Sequence, residues 1–113
     1  MKYEEMAGVA TGEPSERIGA RIMEARRLGA ERLNETGKLT NAEMNPKDVD
    51  RFCKTDADAE SLLRHAHDRL QLSGRGFHRV LKVSRTIADL DRAERIGVSH
   101  LGEGLQYRAR AED

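Results

Sequence analysis

The sequence has one cysteine, two prolines, no tryptophan and only four Tyr and Phe residues together. A single thiol, Cys53, excludes an internal disulfide and suits a reducing compartment. No stretch approaches the roughly 18 apolar residues of a membrane-spanning helix. The opening MKYEEMAGVATGEPSE is too acidic and too poor in apolar residues for a signal peptide. These absences point to a cytoplasmic protein with no membrane partner. Net charge is missing too: 20 Lys and Arg balance 20 Asp and Glu. Bulk electrostatics therefore gives no argument for nucleic acid or a membrane surface, and any electrostatic function must come from local arrangement.

What is present is helical material. The 113 residues are 35% charged and 37% hydrophobic, enough for one domain with a modest core. No segment alternates with period two, and the fold class is all-α, a small bundle of four to five helices. The opening dozen residues have no clear period and read as a linker or as the end of a segment cut away. Ser15 follows Gly12 and Pro14 as an N-cap, and Ile18, Ile22, Ala25, Gly29 and Leu33 make one helical seam that Gly37 ends. Residues 38–45 read as a loop. Pro46 opens a short helix through Val49 and Phe52. Thr55-Asp56-Ala57-Asp58 resembles a capping box for a helix with Ala59, Leu62, Leu63, Ala66 and Leu70 on one face. Leu72-Ser73-Gly74 breaks the chain before a helix over about 75–92, whose apolar face is Phe77, Val80, Leu81, Ser84, Ile87 and Ala88. Gly97 closes the next connection, and Ser99 caps a last helix through Leu101, Leu105 and Tyr107.

Between positions 75 and 85 lie four basic residues and no acid. At 100° per residue, Arg75, Arg79 and Lys82 fall within about 60° of one another, opposite the apolar face. His78 and Arg85 flank this stripe and Asp89 ends it. Arg75 sits at a helix N-terminus, where the macrodipole disfavours a cation unless an anion shares the site. Free N–H groups beside an arginine, with Gly74 and Gly76 allowing close approach, make a phosphate seat. A basic stripe opposite an apolar face is also the ordinary solvated side of a helix. Spacing leaves both readings open.

Other constellations are incomplete. His65 and His67, two apart, point about 200° from each other on a helix and cannot chelate one metal. A thiol or metal enzyme built on Cys53, His65 and His67 has no local motif behind it. A phosphate loop around Thr36-Gly37-Lys38 would need Gly at 32 and Ser or Thr at 39, where Arg32 and Leu39 stand. The fragment itself therefore reads as no enzyme, with no catalytic set and no metal site. A helix-turn-helix reading would place Arg75, His78, Arg79 and Lys82 in a DNA major groove. Neutral net charge counts against it.

Four segments carry a resemblance: GEPSERIGARIMEARR (12–27), LTNAEM (39–44), LSGRGFHRVLKVSRTIADL (72–90) and HLGEGLQYR (100–108). Together they resemble the C-terminal region of magnesium-chelatase-like AAA+ ATPases of the ComM competence type, over about residues 2–108. RTIADL and LQYR are the most specific parts. The resemblance implies residues 1–13 as a linker from a missing ATPase core, 14–108 as a helical lid over the nucleotide, and 109–113 as a tail. It implies that Arg75 is a sensor-2 arginine facing the terminal phosphates of ATP, with Arg79, Lys82 and Arg85 as possible phosphate or subunit contacts. Its implied cofactors are ATP and a magnesium ion in the full-length parent, with none expected on the fragment alone. Its implied partners are the AAA+ core, neighbouring subunits of a hexamer, and DNA through a parent acting in recombination. Departures from the family pattern are Gly74, Gly76 and Ser84, each where alanine is usual, and Gly102 and Gly104. The last two are expected to weaken the final helix by roughly 1 kcal/mol each.

Overall fold

The computed structural model describes residues 15–112, and the side chains of residues 16–107. Among the described residues five α-helices follow one another: α1 Ser15–Arg32, α2 Pro46–Phe52, α3 Ala57–Leu70, α4 Gly74–Leu90 and α5 Val98–Glu112. Two 3-10 turns, Asn34–Thr36 and Asn41–Glu43, link α1 to α2. Among the described residues the fold is all-α, with one isolated parallel bridge between Thr55 and Ile96. The linker expected over 1–13, and the side chain of Ser15, lie outside what is described.

Caps set most helix starts. The Asn45 side chain accepts from Asp48 N–H at 2.9 Å and the Asp48 carboxylate accepts from Asn45 N–H at 3.1 Å, so Pro46 begins α2 where its missing N–H costs nothing. Asp56, not Thr55, caps α3, accepting from Ala59 N–H at 2.8 Å. Thr55 is taken up by the bridge that ties this loop to Ile96. Ser73 caps α4, accepting from Gly76 N–H at 3.0 Å. α5 begins at Val98, so Ser99 lies inside its first turn. The Gly97 N–H is met by the His100 ring instead.

Helix ends differ more from expectation. α1 stops at Arg32, and the chain turns through Asn34–Thr36 before Gly37 takes a left-handed φ of 78°. α4 stops at Leu90, not 92, because Arg92 N–H bonds Asp89 O at 3.0 Å and Ala93 N–H bonds Ala88 O at 2.8 Å. This pair of bonds is a Schellman ending, with Arg92 at φ 55° where glycine is usual. α5 runs on to Glu112, through most of the expected tail.

The core gathers Leu33, Met44, Val49, Cys53, Ala59, Leu63, Val80, Leu81, Ala88, Ile96 and Leu101. Leu70, expected on the apolar face of α3, is 44% exposed. α4 packs most extensively on α5, and Gly104 is where the two helices close. A Cβ at Gly104 would stand 2.2 Å from Ser84 Oγ and 3.2 Å from the Val80 carbonyl oxygen. Gly104 is therefore not a simple weak point: the Ser84 hydroxyl occupies the space an alanine methyl would need. Ser84 and Gly104 therefore meet in one steric contact.

Candidate functional site

The first two turns of α4 present Arg75 and Arg79 to solvent, while Phe77 and Val80 turn toward the core. Arg75 and Arg79 are exposed, and neither makes a hydrogen bond or ion pair with another described residue. A Cβ built on Gly74 would meet nothing within 4 Å, so any close approach here must come from another molecule or domain. The backbone seat is smaller than the sequence implied, because the Ser73 cap already holds Gly76 N–H. Beside it, Phe77 stands edge-on to His67 and to His78, each with ring centroids 5.7 Å apart. His67 is thereby a ring contact rather than a ligand, and His65 is exposed.

Arg85 corrects the sequence reading. Expected as a surface cation with possible phosphate or subunit contacts, it is 2% exposed. Its guanidinium donates to Ala93 O at 2.6 Å and Glu94 O at 3.0 Å, and pairs with Asp89 at 3.1 Å. Burial pulls the Arg85 guanidinium below its ordinary value, and the Asp89 charge works against that pull. Asp89 in turn takes a two-pronged pairing from Arg32 of α1, at 2.6 and 2.8 Å. Asn41 completes the knot: its amide donates to Asp89 at 3.0 Å and to Thr86 Oγ1 at 3.1 Å, and its oxygen accepts from Arg32. The Arg, Thr and Asp of RTIADL thus lock α1, the 41–43 turn and the start of the α4–α5 loop onto α4. Lys82 is turned toward the main chain, its ammonium 3.4 Å from both Ala42 O and Met44 O.

An open groove of about 500 Å³ runs between α1, α4 and α5, lined by Ile18, Ile22, Lys82, Val83, Ile87 and Leu90 among others. Asp91, Ser99 and His100 also line it, a trio with the residue types of a hydrolase triad. The geometry excludes that chemistry. His100 Nδ1 accepts from Gly97 N–H at 2.9 Å and Nε2 faces Asp91 at 2.9 Å, so no ring nitrogen is left to take a proton from Ser99. Cys53 is buried, and desolvation pushes its thiol up to about 11, the opposite of an activated nucleophile. Among the described residues no group of His, Cys, Asp and Glu could hold a metal, and no helix is long and apolar enough to cross a membrane.

Comparison with known proteins decides the family. Residues 12–108 match the model described as magnesium chelatase, subunit ChlI C-terminal. The chain belongs to that magnesium-chelatase C-terminal family. It is similar to competence protein ComM of Haemophilus influenzae, 42% identical over 98 residues, covering 87% of this chain and 18% of that protein. It is also similar to the uncharacterized protein YifB of Escherichia coli, 37% identical over 101 residues, covering 89% of this chain and 19% of that one. The chain thus spans about a fifth of the length of these relatives. Within this magnesium-chelatase C-terminal domain, α1 through most of α5 falls in the matched span, as do Arg75 and the Arg32–Asn41–Asp89–Arg85 knot. Sequence reasoning singled out Arg75 as a candidate and missed the knot. Arg32 and Asn41 carry no helical-wheel signature that links them to a helix 50 residues later.

Proposed function

We propose that this C-terminal domain is the lid of a cytoplasmic AAA+ ATPase, and that Arg75 is its sensor-2 arginine, reading the terminal phosphate of ATP bound by the core. The observation that supports this is the solitary state of Arg75. It is exposed at the first turn of α4 and unpaired among the described residues. A guanidinium presented this way fits a terminal phosphate with its planar fork of donors. ATP would supply the phosphates and the magnesium ion would be held with them by the core. This chain contributes one positioned cation and the helix that carries it. Because α4 is locked to α1 and α5, a pull on Arg75 becomes movement of the whole domain against the core. In a hexameric ring that motion couples hydrolysis to work, here assigned to DNA remodelling in a ComM-type parent.

Arg75→Ala in the full-length protein is expected to lower ATP hydrolysis or nucleotide-dependent assembly by at least tenfold, with Arg75→Lys between it and the parent. Unchanged hydrolysis and assembly would sink the assignment. The helix-turn-helix reading gains no support: Lys82, one of its four reading residues, is directed at main-chain carbonyls.

A further inference from the structure

α5 starts without the usual cap. Its first residue is Val98, and Gly97 before it has no side chain to offer the free N–H groups. His100 makes up for this from inside the helix. It stands at the third helical position, and its Nδ1 accepts from Gly97 N–H at 2.9 Å, the part that Glu or Gln plays in a capping box. With Nδ1 as acceptor, the neutral ring carries its proton on Nε2 and donates it to Asp91 at 2.9 Å. The side chain is buried, at 8% exposure, so the packing around the ring keeps Nδ1 on Gly97.

We propose that His100 is a pH-sensitive cap, which fastens the first turn of α5 when neutral and releases it when protonated. A second proton can go only onto Nδ1, where it meets the Gly97 N–H, donor against donor. Nε2 keeps Asp91 in both states, so the ring still has a partner once it has let go of the helix. Release stops short of the core. Ile96 is fully buried, donating to Lys54 O at 2.8 Å and accepting from Asp56 N–H at 3.0 Å, and Leu101 is fully buried on the other side. Val98 and Ser99 between them are exposed, with no burial to hold the turn. Ser99 and His100 line the groove, so release reshapes that end of it. The other titratable groups around the ring are Asp91 from the α4–α5 loop, Arg21 from α1, Lys82 from α4, and Glu103 and Tyr107 from α5, all lining the groove. From α3 comes Asp56: a Cβ on Gly97 would lie 3.4 Å from Asp56 Oδ2 and 3.5 Å from His100 Nδ1. Carboxyl, phenol, amine and guanidinium groups ordinarily change charge outside about pH 5–8, the range in which imidazoles do so. None of this depends on what Arg75 contacts.

Imidazole 15N NMR and amide exchange of the 113-residue chain, between about pH 8 and 5, test the cap. At the upper end His100 should carry its proton on Nε2. As the ring takes up its second proton, protection of the Gly97 amide, corrected for the intrinsic pH dependence of exchange, should fall roughly fivefold or more. The fall should track the His100 ring, while the amides of Ile96 and Ala93 keep their protection. His100→Gln retains an acceptor that does not titrate, so Gly97 should stay protected throughout, whereas His100→Ala should leave it unprotected throughout. A neutral ring with its proton on Nδ1, or Gly97 protection that does not follow the His100 ring, would overturn the proposal. So would the same acid-induced loss in His100→Gln, because a neighbouring carboxylate would then be the group that titrates.

Discussion

Arg75 and Arg85 stand on the same helix, inside the same run of basic residues, and have opposite fates. Arg75 is exposed and alone among the described residues, whereas Arg85 is 2% exposed, with two carbonyls and a carboxylate around it. Residue type does not separate them; neighbours do. One turn after Arg85 comes Asp89, and just beyond the Schellman ending the carbonyls of Ala93 and Glu94 lack helical partners. No described acid or carbonyl is bonded to Arg75. One helix therefore carries two kinds of cation: a structural one in the half that holds the bundle together, and an available one in the half that faces outward.

The sharpest way to break this comparison is to remove the carboxylate on which the buried half depends. Asp89→Ala leaves Arg32 and Arg85 facing each other without compensation, a case that typically costs about 3–5 kcal/mol. Urea denaturation of the domain should show that loss, against which a surface change on α4 would be barely visible. A loss below about 1 kcal/mol would mean that Arg85 is not held as described.

Next in size is the α4–α5 contact. Gly104→Ala drives a methyl into Ser84 Oγ, and overpacking of this kind costs about 1–3 kcal/mol. Ser84→Ala alone should be neutral or slightly stabilising, since Ser84 Oγ is buried with no hydrogen-bond partner. The double variant should recover most of the Gly104→Ala loss, leaving only the tighter approach to the Val80 carbonyl. If the two effects simply add, the steric exchange inferred from the distances is wrong.

The outward half can be weakened without touching the knot. Ser73→Ala removes the cap on α4 and should cost about 1 kcal/mol, seen as faster amide exchange over the first turn of α4 but not around Asp89. Uniform acceleration along α4 would show that the two halves open as one unit.

Much of the fold was legible from local chemistry. Pro46 after Asn45, the Leu72-Ser73-Gly74 break and the 3.6 period each act within one turn of chain, so the sequence displays them directly. The errors lie where a distant partner decides. Arg85 reads as surface on a helical wheel, and only Asp89, Ala93 and Glu94 in three dimensions bring it inside. The ending at Leu90 was invisible because Arg92 adopts a conformation usually marked by glycine. Gly104 reads as a helix weakness until Ser84 is seen against it. Arg75 was legible for the opposite reason: an outward residue with no described partner is defined by its own helix alone.

The smallest expected effect on stability is therefore the most telling for function. Arg75→Ala deletes an exposed side chain with no described partner, so the isolated domain should keep its stability within about 0.5 kcal/mol. Under the proposed function, the same change in the full-length protein should lower hydrolysis or nucleotide-dependent assembly. Arg85→Ala should do the reverse in the isolated domain, with a large loss of stability. Any functional defect in that variant should follow the unfolded fraction. Measuring both variants in both settings separates an arginine that holds the domain together from one that the proposed function assigns to ATP. A stability loss for Arg75→Ala as large as that for Arg85→Ala would erase the distinction between the two halves of α4.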